Sequence, residues 1–233
     1  MSNDMTTYLE GEGINLFAVI DLAGLPTDVR AKVAACTQDL DAYSQLLLYG
    51  HAGRRFWERL TESEKDSSNR FDEKSVRLIS AGLERFAKGS PYKILYPGIA
   101  RVPLQDLGRL SGWHHDSPLG LGIHPTFGLW FAYRGVVLSE TTFNPTIPLR
   151  DASPCLSCDD DPCISACPAK VLSHDGFDVN KCVSYRLEQA SNCASKCIAR
   201  IACPVTEHRY AEEQMTYHYS HSLATIKHFS KSQ

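Results

Sequence analysis

The 233-residue sequence lacks any long hydrophobic run, since no window reaches the roughly 18 apolar residues that a membrane-spanning helix requires. Its N-terminal segment, MSNDMTTYLEGEG, has neither a positively charged start nor an apolar core, so it does not resemble a secretory signal. Internal repeats and low-complexity segments are also absent from the sequence. These absences predict a cytoplasmic protein with no membrane partner.

The sequence also lacks a large excess of charge of either sign. The sequence has 24 basic and 27 acidic residues, which gives a net charge of −3. The two signs are mixed along the chain, so no basic stripe is available for nucleic acid and no polybasic patch for an anionic membrane surface. The sequence therefore predicts that nucleic acid is not a partner.

Cysteine, in contrast, is concentrated in one region: eight of the nine cysteines lie between Cys155 and Cys203. The cytoplasm keeps thiols reduced, so a cysteine cluster there is more often a metal site than a disulfide framework. Zinc sites use four ligands in paired Cys-x2-Cys units, often with a histidine. Zinc with additional structural cysteines is therefore one alternative, and iron–sulfur clusters are the other.

The spacing is Cys155-x2-Cys158-x4-Cys163-x3-Cys167-Pro168, then Cys182, then Cys193-x3-Cys197-x5-Cys203-Pro204. It resembles the two-cluster bacterial ferredoxin run, in which three close cysteines hold one cluster and the fourth, before a proline, reaches the other. The gaps of four, three and five residues depart from the usual two, two and three. This resemblance implies two 4Fe-4S clusters, one on Cys155, Cys158, Cys163 and Cys203, the other on Cys167, Cys182, Cys193 and Cys197.

The rest of the chain mixes strand and helix patterns. Runs rich in branched and aromatic residues predict strands at 14–20, 92–96 and within 127–139, and Asp175-Gly176 predicts a hairpin turn. Apolar residues at steps of three and four predict a helix from Asp28 to Gly50, with Val29, Val33, Cys36, Leu40, Tyr43 and Leu47 on one face. On this basis Cys36 is expected in the core.

A second periodic pattern predicts a helix from Asp72 to near Gly89, with Val76, Ile79, Leu83 and Phe86 on its apolar face. A charged segment after the last cysteine predicts a C-terminal helix. We therefore expect an α+β protein with three parts. These are an α+β domain at 1–150, a two-cluster ferredoxin-like module at 151–205, and a C-terminal helix at 206–233 that returns to the first domain.

Two blocks that flank the cysteines carry a family resemblance. The block GLGIHPTFGLWFAYRGVVL, at 120–138, resembles the signature segment of the CblC family, whose members traffic cobalamin and remove its upper axial ligand. The block HRYAEEQMTYHY, at 208–219, is similar to the Arg-Tyr-x-Glu-Glu-Gln-x-x-Tyr segment near the end of that family's fold. The resemblance implies that 1–150 is a nitroreductase-like, CblC-type cobalamin-binding domain.

The cysteine region, including KCVSYRLEQ at 181–189, resembles epoxyqueuosine reductases and reductive dehalogenases. Those families pair a cobalamin with two 4Fe-4S clusters and share the nitroreductase-like fold. Together the similarities extend over about 103–228, whereas 1–98 matches only loosely.

The CblC resemblance implies cobalamin contacts at Gly122, Ile123, His124, Pro125, Phe127, Gly128, Trp130 and Arg134. Glycines would let the backbone approach a large flat ligand, and His124 would touch corrin or nucleotide-tail groups. A loop histidine bonded to a backbone carbonyl is the alternative. Trp130, with Phe127 and Phe131, would wall an apolar cavity or fill the core. Arg134 matches the family arginine that helps to receive glutathione, or forms a strand-edge salt bridge.

Histidines outside that block have simpler interpretations. His114 and His115 are adjacent in WHHDSP and cannot both face one metal ion without a sharp bend, so with Asp116 they predict a solvated loop or substrate rim. The C-terminal histidines at 218, 221 and 228 have helical spacings and predict a polar helix face.

The implied function is a cobalamin-processing reductase. It would bind cobalamin base-off and pass electrons from the two clusters to cobalt, reducing it or removing its upper ligand. An external electron donor of the flavodoxin or reductase type would feed the clusters, and the nitroreductase-like ancestry makes a homodimer a further expectation.

Two alternatives stay open. One is a cobalamin-dependent reductase that acts on another molecule, as epoxyqueuosine reductases and reductive dehalogenases do, and the other is an electron-transfer protein. Ala100 stands where epoxyqueuosine reductases carry a catalytic aspartate, and a one-residue slip would place Arg101 there. Neither residue is an acid, which argues against queuosine chemistry.

Overall fold

The computed structural model describes residues 2–231, whose contacts divide the chain into two compact units. The first unit contains residues up to His114 together with Phe131–Arg150, and the second contains His115–Trp130 and the chain from Asp151 onward. Both units combine helices with strands, so the predicted α+β class is confirmed. The nitroreductase-like and CblC-type assignments stay predictions.

A four-stranded antiparallel sheet forms the centre of the first unit. Its strands are β1 (Leu16–Asp21), β2 (Gln45–Ala52), β3 (Tyr92–Tyr96) and β4 (Phe131–Ser139), in the order β1-β2-β4-β3. Every residue of β2 is buried, because this strand has a partner on each side. The branched and aromatic residues of β2 and β4 suit such a buried, pleated surface.

Six helices accompany this sheet in the first unit, and the longest, α5, has the clearest amphipathic pattern. Its buried positions include Phe71, Leu78, Ile79 and Leu83, which repeat at helical spacing. A Cβ atom on Gly135 of β4 would lie 2.3 Å from Ile79 Cδ1, so α5 packs closely on the sheet. The helices are α1 (Ser2–Gly11), α2 (Thr27–Ala34), α3 (Arg55–Glu58), α4 (Glu62–Asp66), α5 (Arg70–Phe86) and α6 (Leu104–Leu110).

The predicted helix from Asp28 to Gly50 is wrong over most of its length. Helix α2 ends at Ala34, a short 3-10 turn covers Leu40–Ala42, and strand β2 begins at Gln45. The apolar run LLLY at 46–49 satisfies a helical and a strand period equally, and pairing on both sides of β2 favours the strand. Cys36 is correspondingly not a core residue: it is half-buried just beyond α2, where its thiol donates to the Lys32 carbonyl at 3.4 Å.

Other predicted elements are confirmed. Strands β1 and β3 occupy the first two apolar runs, whereas β4 begins at Phe131 and not at the start of its run. Helix α5 begins at Arg70, so Asp72 lies in its first turn and does not cap it. The hairpin around Asp175-Gly176 is formed by β5 (Leu172–Ser173) and β6 (Gly176–Phe177).

Among the described residues of the second unit there are four short helices and one long one. The short ones are a 3-10 helix (Pro154–Ser157), α7 (Pro162–Ser165), α8 (Val179–Leu187) and α9 (Ile198–Ile201), and the long one is the predicted C-terminal helix α10 (Glu212–Lys231). Within this unit α10 contacts α8. Across residues 2–231, no helix combines the length and the apolar character that crossing a membrane would need.

The division into units places one boundary between Arg150 and Asp151, and it groups 206–233 with the cysteine region. The two units are defined by their internal contacts and not by their ability to fold alone. The predicted domains at 1–150, 151–205 and 206–233 therefore stay predictions.

Gly108 of α6 provides a test of packing in the first unit. A Cβ atom there would lie only 1.8 Å from the Tyr133 hydroxyl oxygen. We expect Gly108→Ala to destabilise the protein by about 1–3 kcal/mol, the usual range for forced overpacking, and to lower the midpoint of urea unfolding. The matched control is Gly24→Ala, because a Cβ atom at Gly24 meets nothing within 4 Å. Equal midpoints for the two variants would contradict the packing described here.

Candidate functional site

The first group of thiols comes from both ends of the cysteine region. Cys155 lies in the 3-10 helix, Cys158 follows it, Cys163 lies in α7, and Cys203 follows α9. Burial raises the pKa of Cys155, and the neighbouring Cys203 and Cys158 raise it further, against a lowering effect of the Ser153 hydroxyl. Burial also raises the pKa of Cys163, with added contributions from Cys155, Cys203 and Cys158. These four thiols are therefore electrostatic neighbours.

The second group brings together the remaining four thiols of the region. Cys167 follows α7, Cys182 lies in α8, Cys193 precedes α9, and Cys197 occupies the N-cap position of α9. Burial raises the pKa of Cys182, and Cys197, Cys167 and Cys193 raise it further. Burial likewise raises the pKa of Cys193, to which Cys197 and Cys167 also contribute.

The ferredoxin resemblance implies these two groups, and their role as metal ligands stays a prediction. Five cysteines have a raised pKa, and the other thiols that contribute to each increase belong to the same group as that cysteine; the five are Cys155, Cys163, Cys182, Cys193 and Cys203. Cys167, before Pro168, belongs with the late cysteines, and Cys203, before Pro204, belongs with the early ones. We name them the first set (Cys155, Cys158, Cys163, Cys203) and the second set (Cys167, Cys182, Cys193, Cys197).

Backbone N–H groups point at several of these sulfurs. The Arg200 N–H donates to Cys197 Sγ at 3.4 Å, which caps α9. The backbone N–H groups of Ile164, Ile198 and Val205 lower the pKa of Cys163, Cys193 and Cys203 respectively, although burial raises all three. Such donors stabilise negative charge on sulfur, and they are one of the means by which proteins tune iron–sulfur clusters.

An apolar shell surrounds both sets. Its buried members include Leu119, Ile123, Leu129, Val171 and Ala199, and Cys167 and Cys203 are buried with them. Phe177 and Val205 pack against the same cluster. The shell limits access of water to the thiols, which lowers the local dielectric and strengthens every charge interaction there.

Three arginines near the thiols were missed by sequence reasoning. Arg186 donates from Nε to the Cys193 carbonyl at 3.2 Å and lowers the pKa of Cys182 and Cys193. Arg200 and Arg209 both lower the pKa of Cys203. All three lie within or beside cysteine-rich segments, so their closeness to the cysteines in sequence is the signal that could have identified them.

The donor set fits iron–sulfur clusters better than zinc. A single zinc ion holds its sulfurs about 2.3 Å away, which forces four thiols close together. Within residues 2–231, no three His, Cys, Asp or Glu side chains converge closely enough for one ion. A four-iron cluster binds each thiolate to a different iron, so its four ligand sulfurs lie farther apart than those around a single zinc ion. Eight free thiols in two sets of four therefore suit two such clusters.

His124, the principal residue of the expected cobalamin site, is 1% exposed. Its Nδ1 accepts hydrogen bonds from the backbone N–H groups of Thr126 at 3.1 Å and Phe127 at 3.3 Å. These bonds differ from the expected alternative, in which the ring would bond a carbonyl. Burial lowers the pKa of His124 to about 4, and the neighbouring His115 lowers it as well.

The other expected cobalamin contacts separate into buried and half-buried residues. Trp130 is fully buried and donates its indole N–H to the Val205 carbonyl at 2.7 Å, while Ile123 and Gly128 are also buried. A Cβ atom on Gly128 would lie 2.7 Å from Val205 Cγ1, so the loop packs against the chain's own side chains. The half-buried contacts are Gly122, Pro125 and Phe127.

Arg134 lies in the first unit and is 8% exposed. Its Nε donates to His51 Nδ1 at 2.9 Å, its Nη1 lies 3.6 Å from an Asp72 carboxylate oxygen, and its guanidinium lies 5.0 Å from the centre of the Phe71 ring. These contacts resemble the salt-bridge alternative more than a site for glutathione. Because strand β4 is central, however, the salt bridge is not at a strand edge.

The expectation of a solvated WHHDSP loop is wrong for its first residues. Trp113 and His114 are each 4% exposed, and His114 Nδ1 lies 3.2 Å from the Tyr133 hydroxyl. His115 forms a β-bridge with Ile123. At the C-terminus, the predicted polar face is confirmed for residues 221 and 228, which are exposed.

Comparison with known proteins gives fold relatives only. No family model matches the sequence, and no curated protein does. An epoxyqueuosine reductase from Streptococcus thermophilus has a TM-score of 0.55 and 15% identity over 88% of this chain and 66% of that chain. An epoxyqueuosine reductase determined with an epoxyqueuosine-modified tRNA-Tyr stem loop has a TM-score of 0.57 and 10% identity, over 93% of this chain and 68% of that one.

A catabolic reductive dehalogenase in complex with 3-bromo-4-hydroxybenzoic acid has a TM-score of 0.55 and 13% identity. The match covers 97% of this chain and 35% of the dehalogenase. This chain thus spans about two thirds of the epoxyqueuosine reductases and about a third of the dehalogenase. The likeness confirms the reductase side of the resemblance at the level of fold, whereas the CblC side stays a prediction.

The depressed pKa of His124 predicts a pH dependence of stability. The folded value of about 4 lies below the unfolded value of 6.5, so protonation favours the unfolded state. Stability should be highest above pH 6.5 and should fall as the pH drops toward 4, by up to roughly 3 kcal/mol at about 1.4 kcal/mol per pKa unit. Urea midpoints measured between pH 7.5 and pH 5 test this.

His124→Asn keeps an acceptor for the two backbone N–H groups and should remove most of this slope. His221→Asn, on the exposed part of α10, is the control and should retain it. The same slope in both variants would refute the assignment to His124.

Proposed function

We propose that the protein is an oxidoreductase that holds two 4Fe-4S clusters, of the general type of epoxyqueuosine reductases and reductive dehalogenases. The single observation that carries this proposal is the grouping of eight free thiols into two sets of four. The fold likeness to solved reductases supports it. When bound, the clusters would supply one-electron transfer at low potential.

The chain's own residues have separate tasks in this proposal. The first and second sets bind the irons as thiolates, and the raised thiol pKa values mean that metal binding must displace protons. The apolar shell around Leu119 and Val171 excludes water from the sulfurs. Backbone N–H groups and the three arginines compensate the negative charge that thiolates bring into that shell.

We further propose cobalamin as the electron acceptor, on the strength of the sequence resemblance. His124, Trp130 and Arg134 are enclosed by the chain's own side chains, so they offer little surface to a corrin. Half-buried Gly122, Pro125 and Phe127 are the expected contacts that a cobalamin could reach without rearrangement.

The final substrate distinguishes two candidate functions. Reductases of similar fold act on other molecules, which favours a cobalamin-dependent reductase over the cobalamin-processing function implied by CblC. The second candidate, in which cobalamin is itself the substrate, is favoured by Ala100. This residue, like its neighbour Arg101, supplies no carboxylic acid where epoxyqueuosine reductases carry their catalytic aspartate.

Nucleic acid belongs among the substrates to be tested. The prediction that it is not a partner rested on the net charge of −3 and on the lack of a basic stripe in the sequence. An epoxyqueuosine reductase of similar fold was determined with a tRNA stem loop, so charge is not a sufficient reason to exclude RNA.

Metal content tests the cluster proposal directly. Protein purified or reconstituted without oxygen should contain about eight iron and eight acid-labile sulfide per chain, the content of two 4Fe-4S clusters. Cys203→Ser and Cys197→Ser, one in each set, should each lower the iron content toward about half. Cys36→Ser is the matched control, because Cys36 lies outside both sets and should leave the iron content unchanged. Stoichiometric zinc without sulfide would exclude the proposal.

The acceptor is tested by adding cob(II)alamin to reduced protein without oxygen. Binding should change the cobalamin spectrum, and Phe127→Ala should weaken binding about fivefold to tenfold through the loss of roughly 1 kcal/mol of contact. Phe86→Ala, a half-buried phenylalanine in the first unit, is the control and should bind normally.

The same assay separates the two candidate functions. With an alkylcobalamin or cyanocobalamin in place of cob(II)alamin, release of the upper ligand without further substrate supports cobalamin processing. With cob(II)alamin, cobalt that is reduced and stays reduced until a halogenated aromatic or a modified tRNA is added supports a reductase of another molecule. Unchanged spectra with intact clusters would remove cobalamin from the proposal.

A further inference from the structure

Arg200 lies between the two sets of thiols along the chain. It belongs to α9, which fills the five-residue gap between Cys197 of the second set and Cys203 of the first. Its backbone N–H donates to Cys197 Sγ at 3.4 Å, and its carbonyl accepts from the Cys203 N–H at 3.3 Å. The backbone of one residue is thus hydrogen-bonded to a cysteine of each set.

The guanidinium of Arg200 is held in place by aromatic rings. Its central carbon lies 4.8 Å from the Trp130 ring and 5.0 Å from the Tyr210 ring, and its Nη2 donates to the Leu129 carbonyl. Tyr219 also bonds the side chain. Nε is buried and has no hydrogen-bond partner among the described residues. Stacking on rings fixes the position of the charge without neutralising it.

This buried cation has no carboxylate partner among residues 2–231. The groups that raise the pKa of Arg200 against the effect of burial are Tyr219, Tyr210 and Cys197. A charge inside a protein needs a compensating charge of opposite sign, because desolvation is otherwise costly. Cysteine sulfur is the group near Arg200 that becomes an anion when metal binds.

Arg200 is an electrostatic neighbour of one cysteine in each set. Burial raises the pKa of Cys203, and Arg200 is one of the groups that lower it, while Cys197 of the second set raises the pKa of Arg200 itself. The other two arginines are more selective. Arg186 influences Cys182 and Cys193 of the second set, and Arg209 influences Cys203 of the first.

We propose that Arg200 is a counter-ion shared by the two iron–sulfur clusters and that it favours the reduced state of both. The proposal rests on the proposed function, since it requires the clusters to be bound. Reduction adds one negative charge to a cluster, and a fixed cation beside its ligands stabilises that charge. Arg200 is therefore a positioning residue that raises both reduction potentials together.

The test is an anaerobic redox titration of the holoprotein, followed by electron paramagnetic resonance. Arg200→Met removes the charge and keeps an apolar stem, and it should lower the reduction equilibrium constant of each cluster about tenfold, which is about 59 mV for a one-electron couple. Arg200→Lys keeps the charge and should restore most of each shift. If Arg200 had only a structural role, the reduction potentials would not depend on whether the side chain at this position carries a charge.

Arg186→Met and Arg209→Met give the matched contrast. The first should lower the potential of the second-set cluster alone, and the other that of the first-set cluster alone. Cys203→Ser and Cys197→Ser assign each signal to its set. A shift of one potential or of neither in Arg200→Met, with both clusters present, would overturn the proposal.

Cluster loss is also decisive. Loss of both clusters in Arg200→Met, with retention in Arg200→Lys, supports the shared counter-ion, because assembly then depends on charge. Loss in Arg200→Lys as well would show a requirement for the shape of arginine and would overturn the proposal. Failure of the proposed function is seen separately, as the lack of iron and sulfide in the unmodified protein.

Discussion

The confinement of eight thiols among apolar side chains is the constraint on which the second unit depends. Burial raises the pKa of Cys155 and Cys182, and the neighbouring thiols raise it further, because a negative sulfur is costly where water is scarce and other thiolates repel it. Negative sulfur is therefore stable there only with cations and oriented N–H donors beside it. The short helices supply the donors, since α9 directs the Arg200 N–H at Cys197, and arginines within the same segments supply the charge.

The crossing of the chain between the two sets ties the whole cysteine region together. Cys203 closes the first set from the far end of the region, and Cys167 joins the second set from the near end. Neither set is complete without residues from both halves, so partial unfolding of either half would expose ligands of both sets. The hairpin β5-β6 lies between the halves, and its Phe177 packs against the apolar shell. The hairpin and most of the two thiol sets thus pack in a single apolar cluster.

Sequence patterns predicted those features that depend on local chemistry. The Asp175-Gly176 hairpin and the amphipathic α5 follow from spacing and residue type. Strand β2 was mistaken for a helix because a run of four apolar residues satisfies both periods, and pairing with β1 and β4, distant in sequence, decides between them. The arginines near the thiols could not be predicted as a group, because their convergence depends on tertiary packing.

The glycine-rich segment 120–128 has a structural use that is independent of any ligand. A Cβ atom on Gly120 would lie 2.9 Å from Phe177, and one on Gly128 would lie 2.7 Å from Val205, so both glycines permit close packing on the cysteine region. Both also adopt positive φ values, 67° and 59°, which glycine accepts most easily. Trp130 ends the segment with an indole N–H bond to Val205. The same residues that resemble a cobalamin-binding signature therefore cover the thiol sets, because they pack on Phe177 and Val205 of the apolar shell.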